Sequence, residues 1–381
     1  MRVCLVYDCL FPYTVGGAER WYRNLAEHLV ADGHDVTYVT LRQWDRGVEL
    51  DLDPRVRVVV AGPRMALYTD ERRRIAPPIV FGVGVLWHLL RHGRRYDVVH
   101  TASFPYFSLL AAAALRPAMG YRLVVDWHEA WSKAYWRDYL GAIGGAIGYF
   151  VQRRCIRVSQ RAFCFSRLYA ARLRAGGLRG EPTILPGQYT GSAEVPVARA
   201  TEPVVVFAGR LIPEKRAAQA VAAFAVAAGR IEGLRGEFYG DGPTRADLLS
   251  AIAEHGVEGA ITAPGFTDAA RIDTALRGAM CMLSTSRREG YGLIVVEAAA
   301  RATPSVVVAG EDNAASELIA DGVNGFVVEV DDPRRIGDAI VRVHESGMAL
   351  RESTARWFSE HAAELSLEHS LRIVVASYLE R

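Results

Sequence analysis

Short continuous runs of apolar, largely β-branched residues alternate with helical patterns along this chain, and halfway through the alternation starts again. Nothing else in the sequence restricts the fold as much. Continuous apolar runs mark strands covered on both faces, as in parallel sheets; a sheet with one wet face alternates residue by residue instead. Parallel neighbours need a crossover, which the intervening helical stretches supply. In the first half the strand runs are Val3–Tyr7, Asp35–Thr40, Val56–Val60, Asp97–Thr101, Arg122–Trp127, Ala162–Ser166 and Pro182–Leu185. Between the first two, Ala18 to Asp32 is helical and stops at Gly33. Gly187 to Ala200 is polar and irregular and reads as a linker. New strand runs follow at Pro203–Gly209, Gly236–Tyr239, Ala260–Thr262, Met280–Ser284, Ser305–Ala309 and Gly325–Val330. The expectation is an α/β chain of two Rossmann-like parallel-sheet domains, residues 1–190 and 200–356. With 381 residues, each domain can bury its own core.

Composition narrows the function by exclusion. A formal charge of +2 offers no electrostatic footprint for nucleic acid. The five cysteines (Cys4, Cys9, Cys155, Cys164, Cys281) are scattered, mostly in apolar runs, with no C-x-x-C pair. They read as reduced, buried thiols of a cytoplasmic protein, and no zinc or iron–sulfur pattern is present. No signal peptide is expected from the first strand run, and the apolar stretches Ile79–Leu90 and Tyr139–Val151 are too short to span a bilayer. Neither half opens with the G-x-G-x-x-G of dinucleotide binding.

The chemistry concentrates after the Met280–Ser284 run, in Glu289-Gly290-Tyr291-Gly292-Leu293-Ile294-Val295-Val296-Glu297. Strand, glycine-rich polar loop and helix follow one another here, the helix expected over Leu293 to Arg301. In a parallel sheet this loop lies at the carboxyl end of a strand, where such folds place ligands. Glycines let the backbone approach a ligand, and free N–H groups at a helix start favour an anion. Glu289 stands in the loop; Glu297 stands just over one turn inside the helix. A carboxylate at either place suits a sugar diol, and equally a solvated surface position.

This stretch resembles the E-x7-E motif of retaining glycosyltransferases of the GT-B fold, glycosyltransferase family 4. The resemblance implies two Rossmann-like domains facing a central cleft, the acceptor on the first and a nucleoside-diphosphate sugar on the second. It implies that the last helix, residues 357–381, packs back on the first domain. By the same resemblance Glu289 meets the donor sugar, Glu297 holds the ribose, and the backbone of Gly290, Tyr291, Gly292 and Leu293 faces the donor. Gly209-Arg210-Leu211-Ile212-Pro213-Glu214-Lys215 is similar to the family's G-R-x-x-x-x-K, whose Arg and Lys bind the diphosphate, so Arg210 and Lys215 are assigned there. Converging cations are what a pyrophosphate requires, although two charges beside a helix start are common in any α/β protein. Pro264-Gly265-Phe266 is similar to the segment lying against the base; Phe266 is as suited to a core as to stacking. Tyr239-Gly240-Asp241-Gly242-Pro243 resembles a turn near the nucleotide and is also explained as a tight turn.

In the first half, Gly16-Gly17 stands where the family has a Gly-Gly facing the donor phosphate, and it also serves as a helix entry turn. His128, closing Asp126-Trp127-His128-Glu129, matches a family His near the donor sugar. Asp126 and Glu129 depart from the family pattern; they suit acceptor hydroxyls or a base, and equally a helix cap. His100 reads as structural. Basic clusters at Arg72-Arg73-Arg74, Arg91 to Arg95 and Arg153-Arg154 suit an anionic lipid surface or plain solvated helix faces. The aromatics from Trp127 to Tyr139 suit sugar stacking, a lipid tail or packing. The resemblance implies a retaining, metal-independent transfer of a hexosyl-type sugar to a hydroxyl acceptor, a lipid-linked glycan, a polysaccharide or a small metabolite; the basic clusters leave peripheral membrane contact open. A GT-B nucleotide-sugar epimerase and a non-catalytic sugar-nucleotide-binding subunit remain as alternatives.

Overall fold

The computed structural model describes residues 1–45, 47–69 and 72–380, without the side chains of residues 68, 69, 72 and 73. The cluster at Arg72 and Arg73 therefore lies outside the described side chains. The chain divides into two compact units, residues 1–186 with 370–381, and residues 187–369.

The first unit is built on a seven-stranded parallel sheet. Its spatial order is Arg57–Val60, Asp35–Thr40, Arg2–Val6, Val98–Ala102, Arg122–Trp127, Arg161–Cys164, Thr183–Ile184. The first strand is thus central: the chain winds to one edge, then crosses back and winds to the other. Strand Arg2–Val6 pairs on both sides in register, Leu5 opposite Tyr38 and His100. Two-sided pairing and burial explain the continuous apolar runs, since Val3, Cys4 and Leu5 have no exposed surface. Helix Gly17–Ala31 turns Trp21, Tyr22, Leu25 and Leu29 onto the sheet at helical spacing.

The second unit repeats the winding with six parallel strands, ordered Ile261–Gly265, Arg235–Tyr239, Val204–Ala208, Cys281–Ser284, Ser305–Val308, Gly325–Val328. The two central strands, Val204–Ala208 and Cys281–Ser284, are neighbours at which the order reverses. The loops leaving their carboxyl ends hold Gly209–Arg216 and Thr285–Gly292. Sheet topology alone therefore brings together two motifs separated by some seventy residues in sequence, at the place where open α/β sheets bind ligands.

One boundary differs from expectation. The stretch from residue 357 onward is not one terminal helix. Helix Pro333–Leu365, kinked at Gly347, ends before Ser366, and a separate helix spans Leu367–Leu379. Ser366 takes an extended conformation (φ −69°, ψ 140°), and its hydroxyl accepts from His369 N at 3.2 Å. Amphipathic spacing runs through both helices, so the serine break left no gap in the pattern. Only residues 370–381 group with the first unit, where Tyr378 is fully buried.

Candidate functional site

In the second unit the Gly209–Arg216 loop lies over two glycines that nothing larger could replace. A Cβ on Gly240 would stand 1.8 Å from Gly209 O, and one on Gly242 2.4 Å from Leu211 O. The Lys215 side chain runs back along Gly209 and forms an ion pair with Glu289 Oε1. Both partners are largely shielded, the Lys215 side chain 21% and that of Glu289 14% exposed. Ser286 Oγ donates to the same carboxylate oxygen at 2.7 Å. Thr285 Oγ1 lies 2.9 Å from Lys215 O and 3.0 Å from Arg216 O, and so ties the two loops together. Arg287 N donates to Glu214 O at 2.8 Å, and Arg288 pairs with the Glu214 carboxylate at 3.5 Å. This clamp holds Arg216 in a left-handed conformation (φ 51°), which a non-glycine residue adopts only under constraint. Arg210 is exposed on the same loop and forms no ion pair among the described residues.

Arg288–Glu289 forms a short parallel pairing with Asp312–Asn313. Asn313 Nδ2 bridges Ser286 O and Val308 O, each at 2.8 Å, while its Oδ1 accepts from Ala315 N at 2.9 Å. The chain then enters helix Leu293–Ala299 through Gly292 at φ 99°. A Cβ on Gly292 would stand 2.5 Å from Ala315 Cβ. Gly292→Ala is therefore expected to lower stability by about 2 kcal/mol or more through strain and clash together. A melting curve indistinguishable from wild type would refute this account of the turn. Glu297 is half-buried on this helix. The helix ends at Ala299, not Arg301, because Ala302 turns left-handed at φ 57°.

Two aromatic side chains of these motifs are oriented in opposite ways. Tyr291, between the glycines, is buried (7% exposed), and a hydrogen bond ties it to the Gln188 backbone. Its ring belongs to the core, which agrees with an expectation that concerned its backbone alone. Phe266 does the reverse: it stands 76% exposed after Gly265, which has φ 95°. Arg245 packs against Gly265 and donates to Ala263 O at 3.2 Å.

In the first unit His128 follows strand Arg122–Trp127, its ring stacked on Phe165 at 4.7 Å with planes 6° apart. Nε2 is shielded from water and has no hydrogen-bond partner among the described residues. Burial pushes its pKa down to about 4; the Asp126 charge opposes this and His100 adds to it. The imidazole is neutral near pH 7. Gly16 is extended (φ −171°) before helix Gly17–Ala31, and the Glu19 carboxylate folds back over it.

Asp126 does not fit an acceptor-binding role. It is fully buried; Trp21 Nε1 donates to Oδ2 at 2.7 Å, and His100 Nε2 lies 2.8 Å from Oδ1. His100 Nδ1 in turn meets Tyr378 OH at 2.5 Å. The carboxylate is thus a support beneath the strand end. Glu129 is half-buried, with Trp131 Nε1 donating to Oε2 at 2.6 Å. The surrounding aromatics pack about Gln152, whose Oε1 accepts from Tyr106, Trp131 N and Trp136.

Sequence reasoning missed Thr285, Ser286 and Glu214, although the run Ser284-Thr285-Ser286 at a strand end carries the signal of a polar clamp. Trp21 and Tyr378 gave no local signal, because each sits at an ordinary apolar helix position.

Residues 192–362 match the family model of glycosyl transferases group 1, and residues 15–186 that of glycosyltransferase family 4. The chain is 30% identical over 165 residues to the poly(glycerol-phosphate) alpha-glucosyltransferase of Bacillus subtilis (strain 168), a match covering 43% of this chain and 23% of that protein. The matched stretches span less than half the length of such curated relatives. Sucrose-phosphate synthase from Thermosynechococcus elongatus superposes with a TM-score of 0.80 at 20% identity, over 100% of this chain and 98% of that one. Anabaena HepE in complex with UDP and glucose does so with a TM-score of 0.71 at 17% identity, over the whole of both chains. One family model takes in most of each sheet, and the likeness in fold runs the full length, so the chain belongs to the glycosyltransferases of the GT-B fold, glycosyltransferase family 4 (glycosyl transferases group 1).

Proposed function

We propose that this chain moves a hexosyl-type sugar from a nucleoside-diphosphate sugar to an acceptor hydroxyl, retaining the anomeric configuration and using no metal ion. The observation that carries this reading is the Lys215–Glu289 pair at the switch point of the second sheet, with Arg210 exposed on the same loop. When the anomeric C–O bond to the diphosphate breaks, negative charge grows on the leaving oxygen. Arg210 and Lys215 stabilise it where a metal would otherwise do so. The helix that starts at Leu293 has only seven residues, so the cations carry more of this charge than its dipole does. The acceptor oxygen bonds to the anomeric carbon, and its proton passes to the departing diphosphate. Glu289, positioned by Ser286 and Lys215, hydrogen-bonds the donor sugar, and Glu297 holds the ribose. HepE was solved with UDP and glucose, which favours a uridine diphosphate donor. Five buried free thiols suit a reducing cytoplasm.

The test is thermal stability of the purified protein against UDP, GDP, ADP and NAD without metal. A ligand that binds only the folded state at a hundred times its Kd adds about 2.7 kcal/mol. UDP is expected to raise Tm, NAD to leave it unchanged, and Glu297→Ala to lose most of the UDP shift. If no nucleoside diphosphate shifts the wild type, or if Glu297→Ala responds fully, the donor-site assignment falls and only the fold statement stands. Retention is checked separately, by the anomeric configuration of the product in NMR.

A further inference from the structure

Two helices of the first unit are apolar on their outer side as well as their inner one: Phe81, Val85 and Leu89 of the first are fully buried, yet large apolar residues also stand outward. In helix Ala76–His92, Ile79, Val83, Trp87 and Leu90 recur at helical spacing and are 44–61% exposed. Glycines face inward: a Cβ on Gly82 would stand 2.5 Å from Phe107 Cβ, and one on Gly84 1.7 Å from Ala61 O. Helix Lys133–Ile156 does the same past its kink at Gly141. Gly145 and Gly148 pack against the Trp136 backbone and ring, while Ile143, Ile147 and Phe150 point outward, 60–79% exposed. A helix that only had to cover a sheet would carry one apolar face, turned inward, and a polar face outward, because apolar burial drives packing. Isolated exposed apolar residues mean little, but contiguous stripes mark a contact surface.

The crossovers to strands Val98–Ala102, Arg122–Trp127 and Arg161–Cys164 all proceed in one direction across the sheet. Right-handed connections therefore lay their helices on one face. Helix Tyr106–Met119 lies between the two striped helices and packs on both, so the stripes share one outer layer. That layer is basic at its margin. Arg91 lies over the Trp87 ring at 3.4 Å and Arg154 over Phe150 at 5.7 Å; Arg94, Arg95 and Arg157 are exposed nearby. Residues 74–157 hold eleven Arg and Lys against four Asp and Glu, one of the four being the buried Asp126. Among the described residues no helix is long and apolar enough to cross a membrane.

We propose that this helical face docks on an anionic lipid bilayer, the apolar stripes entering the headgroup boundary and the arginines pairing with lipid phosphates. Trp and Arg are suited to that depth, one ring face in the acyl region and a charged head at the phosphates. The rim charge argues for lipid over a second copy of the chain, which would bring the same arginines together. The proposal does not rest on the donor-site reading.

The test is co-sedimentation of the full chain with vesicles of phosphatidylglycerol and phosphatidylcholine in equal parts, against phosphatidylcholine alone. Expected are binding to the anionic vesicles, loss of binding in high salt, and little binding to neutral ones. Val83→Ser/Trp87→Ser and Ile147→Ser/Phe150→Ser are each expected to weaken binding at least tenfold, and Arg91→Ala about fivefold. These positions are exposed, so both double variants should melt like wild type and keep any nucleotide-induced Tm shift. Equal binding to neutral vesicles, or undiminished binding by the stripe variants, would overturn the proposal. So would a wild-type dimer that the stripe variants convert to monomer, since a second copy would then cover the face.

Discussion

Lys215→Ala is expected to slow the proposed transfer by roughly a hundred- to thousandfold, about 2.7–4 kcal/mol of transition-state stabilisation. The argument is geometric. Lys215 is held by three neighbours at once: the Gly209 backbone that its chain lies along, Thr285, whose hydroxyl binds the Lys215 carbonyl, and the Glu289 carboxylate. A cation fixed in this way need not reorganise as the diphosphate departs, which is where an electrostatic contribution to rate is largest. Because the interaction strengthens with developing charge, kcat should fall along with kcat/KM. Lys215→Arg keeps the charge but not the point geometry and should recover part of the loss. Glu289→Gln leaves Lys215 in place without its partner, so the two single losses should not add in the double variant. Thr285→Val removes only the tether to the loop carbonyls and should cost less than Lys215→Ala, mainly in kcat. A Lys215→Ala enzyme with wild-type kcat and an unchanged UDP-induced Tm shift would remove Lys215 from the donor site.

Much of this fold was readable in the chain because the strands are covered on both faces. Val3 to Val6 and Val204 to Phe207 are apolar at every position, and the structure buries every one of them. The approach of Lys215 to Glu289 was readable for a related reason: each stands in a loop that follows a strand run, and strand ends in parallel sheets share one edge. What could not be read was the direction of a polar or aromatic side chain at such an edge. Asp126 stands one residue before the end of its strand and suited an acceptor, a base or a helix cap, yet it points into the core toward Trp21 and His100. Both partners come from other elements, and no spacing rule links them. The directions of the Tyr291 and Phe266 rings were hidden for the same reason, one turned in beside Gln188 and the other turned out after Gly265. The two apolar helices carried a sign that hydropathy averages hide. Glycines at 141, 144, 145 and 148 occupy one side of the helix, which leaves the isoleucines for the other.

Asp126→Ala is expected to destabilise the first unit by about 3–5 kcal/mol, because it strands His100 in a site with no exposed surface. For a unit of this size a kcal/mol moves Tm by about 2–4 °C, so a fall on the order of 10 °C should be seen. Acidity gives the sharper check. Burial pushes the Asp126 carboxyl up, but the His100 charge and hydrogen bond, with His128 and Trp21, pull it further down, leaving its pKa below the ordinary 3.8. A carboxyl depressed in the folded state contributes its stability above the unfolded value and loses it as pH falls through the folded one. The Tm gap between wild type and Asp126→Asn should therefore be full at pH 7 and close only below pH 3.8. Tyr378→Phe removes one neutral partner of His100 and should lower stability by about 1 kcal/mol. If the gap between wild type and Asp126→Asn stays constant down to the acid limit of folding, the carboxylate charge is not what holds this strand end. In that case Trp21 and Tyr378 do so by packing, and Tyr378→Phe, which keeps the ring, would melt like wild type.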